Sequence, residues 1–332
     1  MKSRSETATH GSALPTRMEA AALERFGPPN VLEAMTLPVP TPGPGQVLIA
    51  VHAAGVGVWD QLMRNGSWQP QAQSRPPVVI GTDAAGIVVD VGQRVTGVSI
   101  GERVFAWGYG GFYAEYVAVD AGAVGVIPKQ MDFLEAAAAS ASGLTTLQGL
   151  YDILHVKAGD TLLIMGGSGS MGTLAIQFAK HQGARVTATA SGKEAQQLVH
   201  ELGADVVLDS RHKDGLIQLR NFAPDGVDAA LVLGAGPTLE QYLDFVRPGG
   251  RIAYPYGASP EPRQRSGIRV VGYNLEAGPK EMVRMTRLST ETNLRVPIAA
   301  VYPLAQAAEA HERLEAGHVL GKIVLRTRLD VR

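Results

Sequence analysis

Residues 162 to 180 read LLIMGGSGSMGTLAIQFAK, and this stretch decides the fold. Its first four residues form an apolar run typical of a buried strand, and the segment from Leu174 to Lys180 has the apolar spacing of a helix. Between them lies a turn with the pattern G-x-G-x-x-G, formed by Gly167, Gly169 and Gly172. A strand, this turn and a helix in that order predict a binding site for the pyrophosphate of a dinucleotide.

The three glycines have separate mechanical roles in such a turn. Gly167 permits the tight turn out of the strand, Gly169 lets the backbone approach a pyrophosphate, and Gly172 lets the helix pack closely. The N-terminus of the helix then faces the negative charge of the ligand. The residues between the glycines are also predicted to contact the cofactor, and they are Ser168, Ser170 and Met171. A structural loop without a ligand is the alternative interpretation.

Beyond the turn, the chain alternates short apolar runs with helical segments, which predicts a parallel, doubly wound sheet. The predicted strands are 162–165, 185–189, 206–208, 229–233 and 251–253. Before about residue 127 the chain instead alternates β-branched runs with Gly and Pro, which is typical of a small barrel or sandwich. A helix near 304–316 and a closing strand at 322–325 are predicted to return to this first part.

The end of the second predicted strand decides which dinucleotide binds. An enzyme that uses NAD usually places a carboxylate there, against the ribose hydroxyls of the adenosine. Here Ser191 and Lys193 follow the strand, and a hydroxyl with a cation suits the ribose 2'-phosphate of NADPH. Arg211, after the following strand, is a candidate for a second positive contact. NADH stays the alternative, because the neighbouring Glu194 carboxylate is able to accept from a ribose hydroxyl.

The composition restricts the class of protein. At 332 residues the chain exceeds the usual size of one hydrophobic core, so two domains are expected. Hydrophobic residues make up 45% and the net charge is -1, which gives no electrostatic case for nucleic acid or an anionic membrane as a partner. The sequence has no cysteine, which excludes disulfides, thiolate nucleophiles and cysteine-ligated zinc. Any redox chemistry therefore needs a bound cofactor.

The N-terminal residues 1–17 are polar and small, with no apolar core stretch. We therefore expect a flexible tail rather than a signal peptide. No later run of the sequence is apolar for long enough to span a bilayer, so a cytoplasmic location is expected.

Several further segments accompany the glycine turn. They are 53–60 (AAGVGVWD), 80–86 (IGTDAAG), 101–104 (GERV), 111–116 (GFYAEY), 142–145 (SGLT), 248–250 (PGG) and 321–325 (GKIVL). Over residues 18–326 the chain thereby resembles the medium-chain dehydrogenase/reductase superfamily and, within it, the zinc-independent quinone oxidoreductases. This combination is far more specific than the glycine turn alone.

The resemblance implies an α/β fold of two domains, with the active site in the cleft between them. A GroES-like, β-rich domain would comprise residues 18–138 and 276–332, and a Rossmann domain would comprise residues 139–275. In zinc-dependent relatives a catalytic cysteine would align with Gly57 and a histidine with Thr82. Gly57 and Thr82 stand here in place of that cysteine and that histidine, so we expect no metal.

The family pattern also implies roles for single residues. Thr145 would lie near the nicotinamide and Lys193 would hold the phosphate. Gly234 and Gly257 would lie beside the cofactor, and Asp60 matches an acid in the cleft.

Two departures from the family pattern put a polar quinone pocket in doubt. An asparagine often found in the cleft is replaced by Gly57, and a tyrosine often found two places after Asp60 is Leu62. Four aromatic residues are candidates either to line a more apolar pocket or to fill the core, and they are Trp59, Trp68, Trp107 and Tyr109.

The resemblance implies an NADPH-dependent oxidoreductase that passes hydride to a small electrophile, a quinone or an α,β-unsaturated carbonyl, without metal. An enoyl-thioester reductase and a non-catalytic NADPH-binding protein are the alternatives. A homodimer is the expected assembly. The candidate proton donors are Asp60, Tyr109, Tyr113 and Tyr273, and none stands out, so we expect solvent to supply the proton.

Overall fold

The computed structural model describes residues 14–68, 76–209, 211–212, 214–234 and 236–327. Residues 1–13 of the expected tail and residues 328–332 of the expected first domain lie outside the described residues. None of the described helices is both long enough and apolar enough to cross a membrane.

The described chain is mostly strands up to residue 126, and helices and strands alternate after it. The strands are β1 (Arg17–Leu23), β2 (Glu33–Pro38), β3 (Gln46–Val56), β4 (Val78–Val79), β5 (Asp83–Val91), β6 (Arg103–Trp107), β7 (Tyr116–Asp120), β8 (Val124–Val126), β9 (Thr161–Met165), β10 (Arg185–Thr189), β11 (Val206–Leu208), β12 (Val227–Val232), β13 (Val246–Pro255), β14 (Arg269–Tyr273), β15 (Ile298–Pro303) and β16 (Lys322–Arg326). The helices are α1 (Val58–Arg64), α2 (Phe133–Leu147), α3 (Ser170–His181), α4 (Lys193–Glu201), α5 (Asp214–Phe222), α6 (Leu239–Leu243), α7 (Pro279–Glu291) and α8 (Ala307–Glu315). A π-helix, Gln148–Ile153, continues α2.

The second half of the chain forms a six-stranded parallel sheet in the order β11-β10-β9-β12-β13-β14. The order reverses between β9 and β12, and ligands of doubly wound sheets bind at such a switch point. The glycine turn leaves β9 there, so the topology places the turn where a dinucleotide would lie. The predicted α/β fold class is confirmed.

The N-terminal strands form a seven-stranded sheet in which the end of the chain takes part. β16 pairs antiparallel with β3, with Leu325 opposite Ala54, and β15 pairs with β16. A separate three-stranded sheet has the order β2-β1-β4. Strands β15 and β16 at the end of the chain therefore share a sheet with β3 and β5 to β8.

The long helix α2 connects the two halves of the chain. Its start is fixed by a capping box, in which the Glu135 N–H donates to Asp132 Oδ1 over 2.8 Å and the Asp132 N–H donates to Glu135 Oε2 over 3.1 Å. Four alanines from Ala136 to Ala139 are buried, and such small side chains let the helix pack closely against its neighbours. α2 contacts both β5 and α3, so it lies between the N-terminal sheet and the glycine turn.

The structure differs from the predicted elements in three places. Helix α3 begins at Ser170, inside the glycine turn, because the last glycine of the motif already lies in the helix. Strand β14 was not predicted, because the run around Val270 and Val271 is short and lies between glycines. The final helix is shorter than predicted and follows a 3-10 turn, Leu304–Gln306.

Candidate active site

A cleft of about 750 Å³ lies at the carboxyl ends of the parallel strands. Residues of the glycine turn, of the segment after β10 and of the segment after β12 line it, and they include Gly166, Ser168, Gly169, Ser191, Lys193 and Gly234. His318, Val319 and Leu320, just before β16, line another side. The Gly321 N–H donates to the Ser168 carbonyl over 2.9 Å, which ties this C-terminal segment to the turn.

The three glycines of the turn differ in the space that a Cβ atom would have. A Cβ added to Gly172 would lie 2.1 Å from the Gly166 carbonyl oxygen, so close packing of the helix requires glycine there. A Cβ on Gly167 would lie 2.9 Å from the Cβ of Ala188. At Gly169 the nearest atom would be 3.7 Å away, so glycine there leaves open space facing the cleft.

The first turn of α3 has free backbone donors. Gly169 is its N-cap and no described side chain caps the helix, so its first N–H groups are available to an anion. The Ser170 hydroxyl lies 3.3 Å from the Ser142 hydroxyl, and the Met171 carbonyl accepts from the Thr146 hydroxyl over 3.4 Å. The pyrophosphate of a dinucleotide therefore fits the turn through its backbone.

The basic residues predicted for a 2'-phosphate separate in the structure. Lys193 is exposed at the start of α4 and lines the cleft with Ser191 and Glu194. Arg211 is not among the lining residues; its Nε and NH2 donate to both carboxylate oxygens of Asp209 over 3.0 and 2.7 Å. The Arg211 charge is thus already paired, and among the described residues that line the cleft Lys193 is the only lysine or arginine.

A second, smaller pocket has a volume of about 100 Å³. The chain has three tryptophans, and all of them line this pocket together with Tyr109. The rings form a continuous series, with centroids 5.3 Å apart for Trp59 and Trp68, 5.4 Å for Trp68 and Tyr109, and 5.4 Å for Tyr109 and Trp107. These aromatic residues therefore line a pocket, and Trp68 and Trp107 also pack against the hydrophobic core.

Other predicted site residues lie around the same pocket. Thr145 and Tyr273 line it, and the Tyr273 hydroxyl donates to the Thr145 carbonyl over 3.1 Å. Burial raises the Tyr273 pKa well above its usual value, so this phenol keeps its proton at neutral pH. Gly257 follows the pocket residue Tyr256 and adopts φ +98°, a conformation that favours glycine.

Asp60 is fully buried and is not among the residues that line either cavity. Its Oδ2 accepts from the Gly57 N–H over 2.7 Å and from the Tyr113 hydroxyl over 3.2 Å. A second buried carboxylate, Asp83, binds Lys322 Nζ over 3.3 Å. Two buried acids therefore share one buried ammonium.

A chain of hydrogen bonds approaches Asp60 from helix α8. The Arg64 NH1 lies 3.0 Å from His311 Nδ1, and His311 Nε2 lies 3.1 Å from the Tyr113 hydroxyl. Burial and the Arg64 charge lower the His311 pKa to about 3, so the ring is neutral. Arg64 can only donate, and therefore Nδ1 accepts and Nε2 carries the proton. The Tyr113 proton is left for Asp60.

Burial, and then the neighbouring Asp83 charge, raise the Asp60 pKa to about 7, although Lys322 acts in the opposite direction. Burial likewise raises the pKa of Asp83, against the effect of Lys322. The Tyr113 pKa is raised well above its usual value by burial and by both aspartates. Asp60 is therefore the buried group whose charge changes near neutral pH.

Replacing Asp60 with Asn should make the protein relatively more stable as the pH rises. The raised pKa means that the folded state holds a proton that the unfolded state releases, so wild-type stability falls between pH 3.8 and about 7. Asp60→Asn removes this loss, up to about 4 kcal/mol at three pKa units. Urea unfolding of both proteins at several pH values measures the difference. A difference that stays constant across this range would contradict the assignment.

The sequence did not point to Lys322, His311 and Arg64 as neighbours of the site. Lys322 lies in the GKIVL segment, residues 321–325, and this segment of the family resemblance was the one feature of the sequence that included the lysine. His311 and Tyr113 are 198 positions apart, and no sequence motif surrounds His311. Only the folded chain brings the two side chains together.

Comparison with known proteins finds similar dehydrogenase domains and quinone oxidoreductases. Residues 43–129 match the model of the alcohol dehydrogenase GroES-like domain, and residues 202–325 match that of the zinc-binding dehydrogenases. A quinone oxidoreductase of Sus scrofa is 31% identical over 93% of this chain and 97% of its own.

Solved structures agree in fold over nearly the whole chain. The quinone oxidoreductase from Coxiella burnetii is 32% identical, covers 94% of this chain and 100% of its own, and has a TM-score of 0.82. A mycobacterial protein complexed with NADPH is 30% identical, covers 93% of this chain and 100% of its own, and has a TM-score of 0.83.

Proposed function

Because the chain belongs to the medium-chain dehydrogenase/reductase superfamily and, within it, to the quinone oxidoreductases, we propose that it passes hydride from NADPH to a quinone or an α,β-unsaturated carbonyl without a metal. One observation carries the proposal. One cavity is lined by the glycine turn and the exposed Lys193, and a second, separate cavity is lined by aromatic and uncharged side chains.

The residues present fit a nicotinamide dinucleotide phosphate. The open space at Gly169 and the free N–H groups of α3 suit the pyrophosphate, and Ser191 with Lys193 suits the 2'-phosphate. Thr145 and Tyr273 would border the nicotinamide, next to the pocket. When bound, the nicotinamide supplies the hydride, and the protein supplies orientation and exclusion of water.

The pocket favours a flat, neutral acceptor. No charged side chain lines it within the described part of the chain, and its walls are indole and phenol rings. Electron-rich ring faces stack favourably on an electron-poor ring or enone. The absence of cysteine from the sequence, with Gly57 and Thr82 at the positions of the relatives' metal ligands, supports a reaction without zinc.

NADPH consumption with a panel of quinones, enones and enoyl thioesters tests this function. We expect turnover with quinones or enones. Turnover confined to thioesters would favour an enoyl-thioester reductase. Tight NADPH binding with no turnover of any acceptor would favour a non-catalytic binding protein.

Lys193→Ala should weaken NADPH binding by about tenfold to a hundredfold and leave NADH binding almost unchanged. A charge-assisted contact contributes about 1.5 to 3 kcal/mol, and NADPH alone carries the extra phosphate. Fluorescence titration with both cofactors measures the effect, and Arg211→Ala is the matched control because its charge is held by Asp209. Equal losses for both cofactors in Lys193→Ala would show that the lysine is not the phosphate ligand.

A further inference from the structure

We propose that the aromatic pocket admits a single ring, so that the acceptor is a monocyclic quinone or a cyclic enone, and that Trp68 sets this limit. The inference rests on the proposed function and names the class of acceptor within it. Trp68 then acts as a specificity-determining residue, where the sequence left it open whether this side chain lines a pocket or fills the core.

The pocket is small for a ligand site. Its volume is about 100 Å³, whereas sites for drug-sized ligands measure about 300 to 1,000 Å³. An apolar cavity of about 150 Å³ is enough to bind benzene. A single six-membered ring therefore fills the pocket, and a second fused ring has no space in it.

The rim and the inner wall of the pocket are made of different residues. Tyr109 and Tyr256 line the pocket and are 53% and 44% exposed, so they form its rim. Met63 also lines it but is buried, so this side chain belongs to the inner wall. An acceptor therefore enters past the two tyrosines, and the rings that surround it decide how large it is allowed to be.

Trp68 has the central position in the series of rings, since its centroid lies 5.3 Å from that of Trp59 and 5.4 Å from that of Tyr109. The planes of Trp59 and Trp68 meet at 78°, and those of Trp107 and Tyr109 meet at 77°, so an edge of one ring faces the plane of the next. Rings packed in this way turn only if their neighbours also move. Removing the Trp68 indole therefore opens the middle of the wall.

A tight turn after α1 holds the backbone of Trp68 in place. The Trp68 N–H donates to the Leu62 carbonyl over 3.1 Å, and the Ser67 N–H donates to Asn65 Oδ1 over 2.9 Å. Gly66, within the turn, adopts φ +80°, a conformation that favours glycine. The indole therefore stands on a fixed backbone and acts as a wall of the pocket.

Neutral ring compounds distinguish a size limit from simple hydrophobicity. In an open apolar site a larger ring system binds more tightly, because it buries more apolar surface. In a pocket with space for one ring the order is reversed. The chain has three tryptophans and all of them line this pocket, so quenching of the intrinsic fluorescence reports its occupancy without any turnover.

Saturable fluorescence quenching by nitrobenzene and by nitronaphthalene, without cofactor, is the first test. A single methylene group too many already costs about tenfold or more in a hydrophobic pocket. We therefore expect the wild type to bind nitrobenzene at least about tenfold more tightly than nitronaphthalene. Trp68→Ala should reverse this order, whereas Trp68→Phe should keep it, because a phenyl ring still occupies the middle of the wall.

Reduction of benzoquinone, naphthoquinone and phenanthrenequinone by NADPH is the second test. Each variant is compared with the wild type on the same acceptor, which cancels the different reactivities of the quinones. Trp68→Ala should raise kcat/KM for the two larger quinones by about tenfold or more and change the value for benzoquinone little. NADPH affinity should stay unchanged, since Trp68 does not line the dinucleotide cleft.

Tyr302→Ala is the matched control. Tyr302 is a half-buried aromatic side chain that packs against the same hydrophobic core as Trp68, but it does not line the aromatic pocket. We expect this variant to keep the wild-type order of ring sizes. A reversed order in Tyr302→Ala would trace the selectivity to loosening of the core and overturn the role of Trp68. Circular dichroism checks the folding of every variant, and Trp68→Leu replaces Trp68→Ala if the latter does not fold.

The remaining outcomes separate the size limit from the proposed function. A wild type that binds nitronaphthalene as tightly as nitrobenzene would overturn the size limit and leave the proposed function intact. A folded Trp68→Ala variant that keeps the wild-type order would overturn the role of Trp68. A wild type that shows the expected order of binding but reduces no quinone or enone would overturn the proposed function, and the size limit of the pocket would stand.

Discussion

Gly169→Val should lose NADPH binding by about a hundredfold or more while the protein stays folded. The added side chain has room in the free protein, since a Cβ at this position would be 3.7 Å from its nearest neighbour, the Gly166 carbonyl oxygen. It would project into the space that the pyrophosphate needs, and two charge-assisted bonds of about 1.5 to 3 kcal/mol each would be lost. Calorimetric titration with NADPH, with circular dichroism as the check on folding, measures both effects.

Gly172→Ala is the matched control in the same turn. Its Cβ would lie 2.1 Å from the Gly166 carbonyl oxygen and 2.7 Å from the Cα of Gly167, so the backbone itself must move. We expect this variant to lose about 1 to 3 kcal/mol of unfolding free energy. Unchanged NADPH affinity in Gly169→Val would remove the glycine turn as the cofactor site, whatever the control shows.

Lys322→Met should destabilise the protein by about 3 to 5 kcal/mol at pH 8. The ammonium is buried, binds Asp83 at 3.3 Å and also lowers the pKa of Asp60. Removing one partner of a buried ion pair leaves the other charge uncompensated. The loss should be smaller at pH 5, where Asp60 is protonated. Urea unfolding at the two pH values measures it.

The double variant Lys322→Met with Asp83→Asn is the control that separates the effect of the Lys322 charge from the effect of its packing. It removes both members of the ion pair, and replacing a whole buried pair by neutral groups is often close to neutral in stability. We expect it to recover most of the loss seen in Lys322→Met. Equal losses in the single and double variants would mean that Lys322 stabilises the fold through its packing rather than its charge.

The sequence determined the parts of this protein that depend on local patterns. Strands β9, β10 and β11 and the glycine turn were predicted nearly to the residue, because buried parallel strands are short apolar runs and the turn needs glycine at fixed positions. The roles of Gly169 and Gly172 also follow from spacing, and the positions of a hypothetical Cβ agree with them. Lys193 was predicted as a cofactor contact because it lies shortly after a predicted strand, and it lines the cleft.

The tertiary structure decided everything that depends on partners distant in the sequence. It paired Arg211 with Asp209, whereas Lys193 lines the cleft with the other described residues around the glycine turn. It gathered the three tryptophans around one pocket, where the sequence left core and pocket equally open.

The ionisation of Asp60 is the clearest such case. A carboxyl's pKa is set by its burial and by the charges around it, and the charges near Asp60 are Asp83 of β5 and Lys322 of β16. Lys322 is 262 positions away in the sequence, and the GKIVL segment that contains it does not indicate that its ammonium faces Asp60. The sequence therefore specified that an acid exists near the cleft, and only the packing of distant segments decided that it is buried and able to hold a proton near neutral pH.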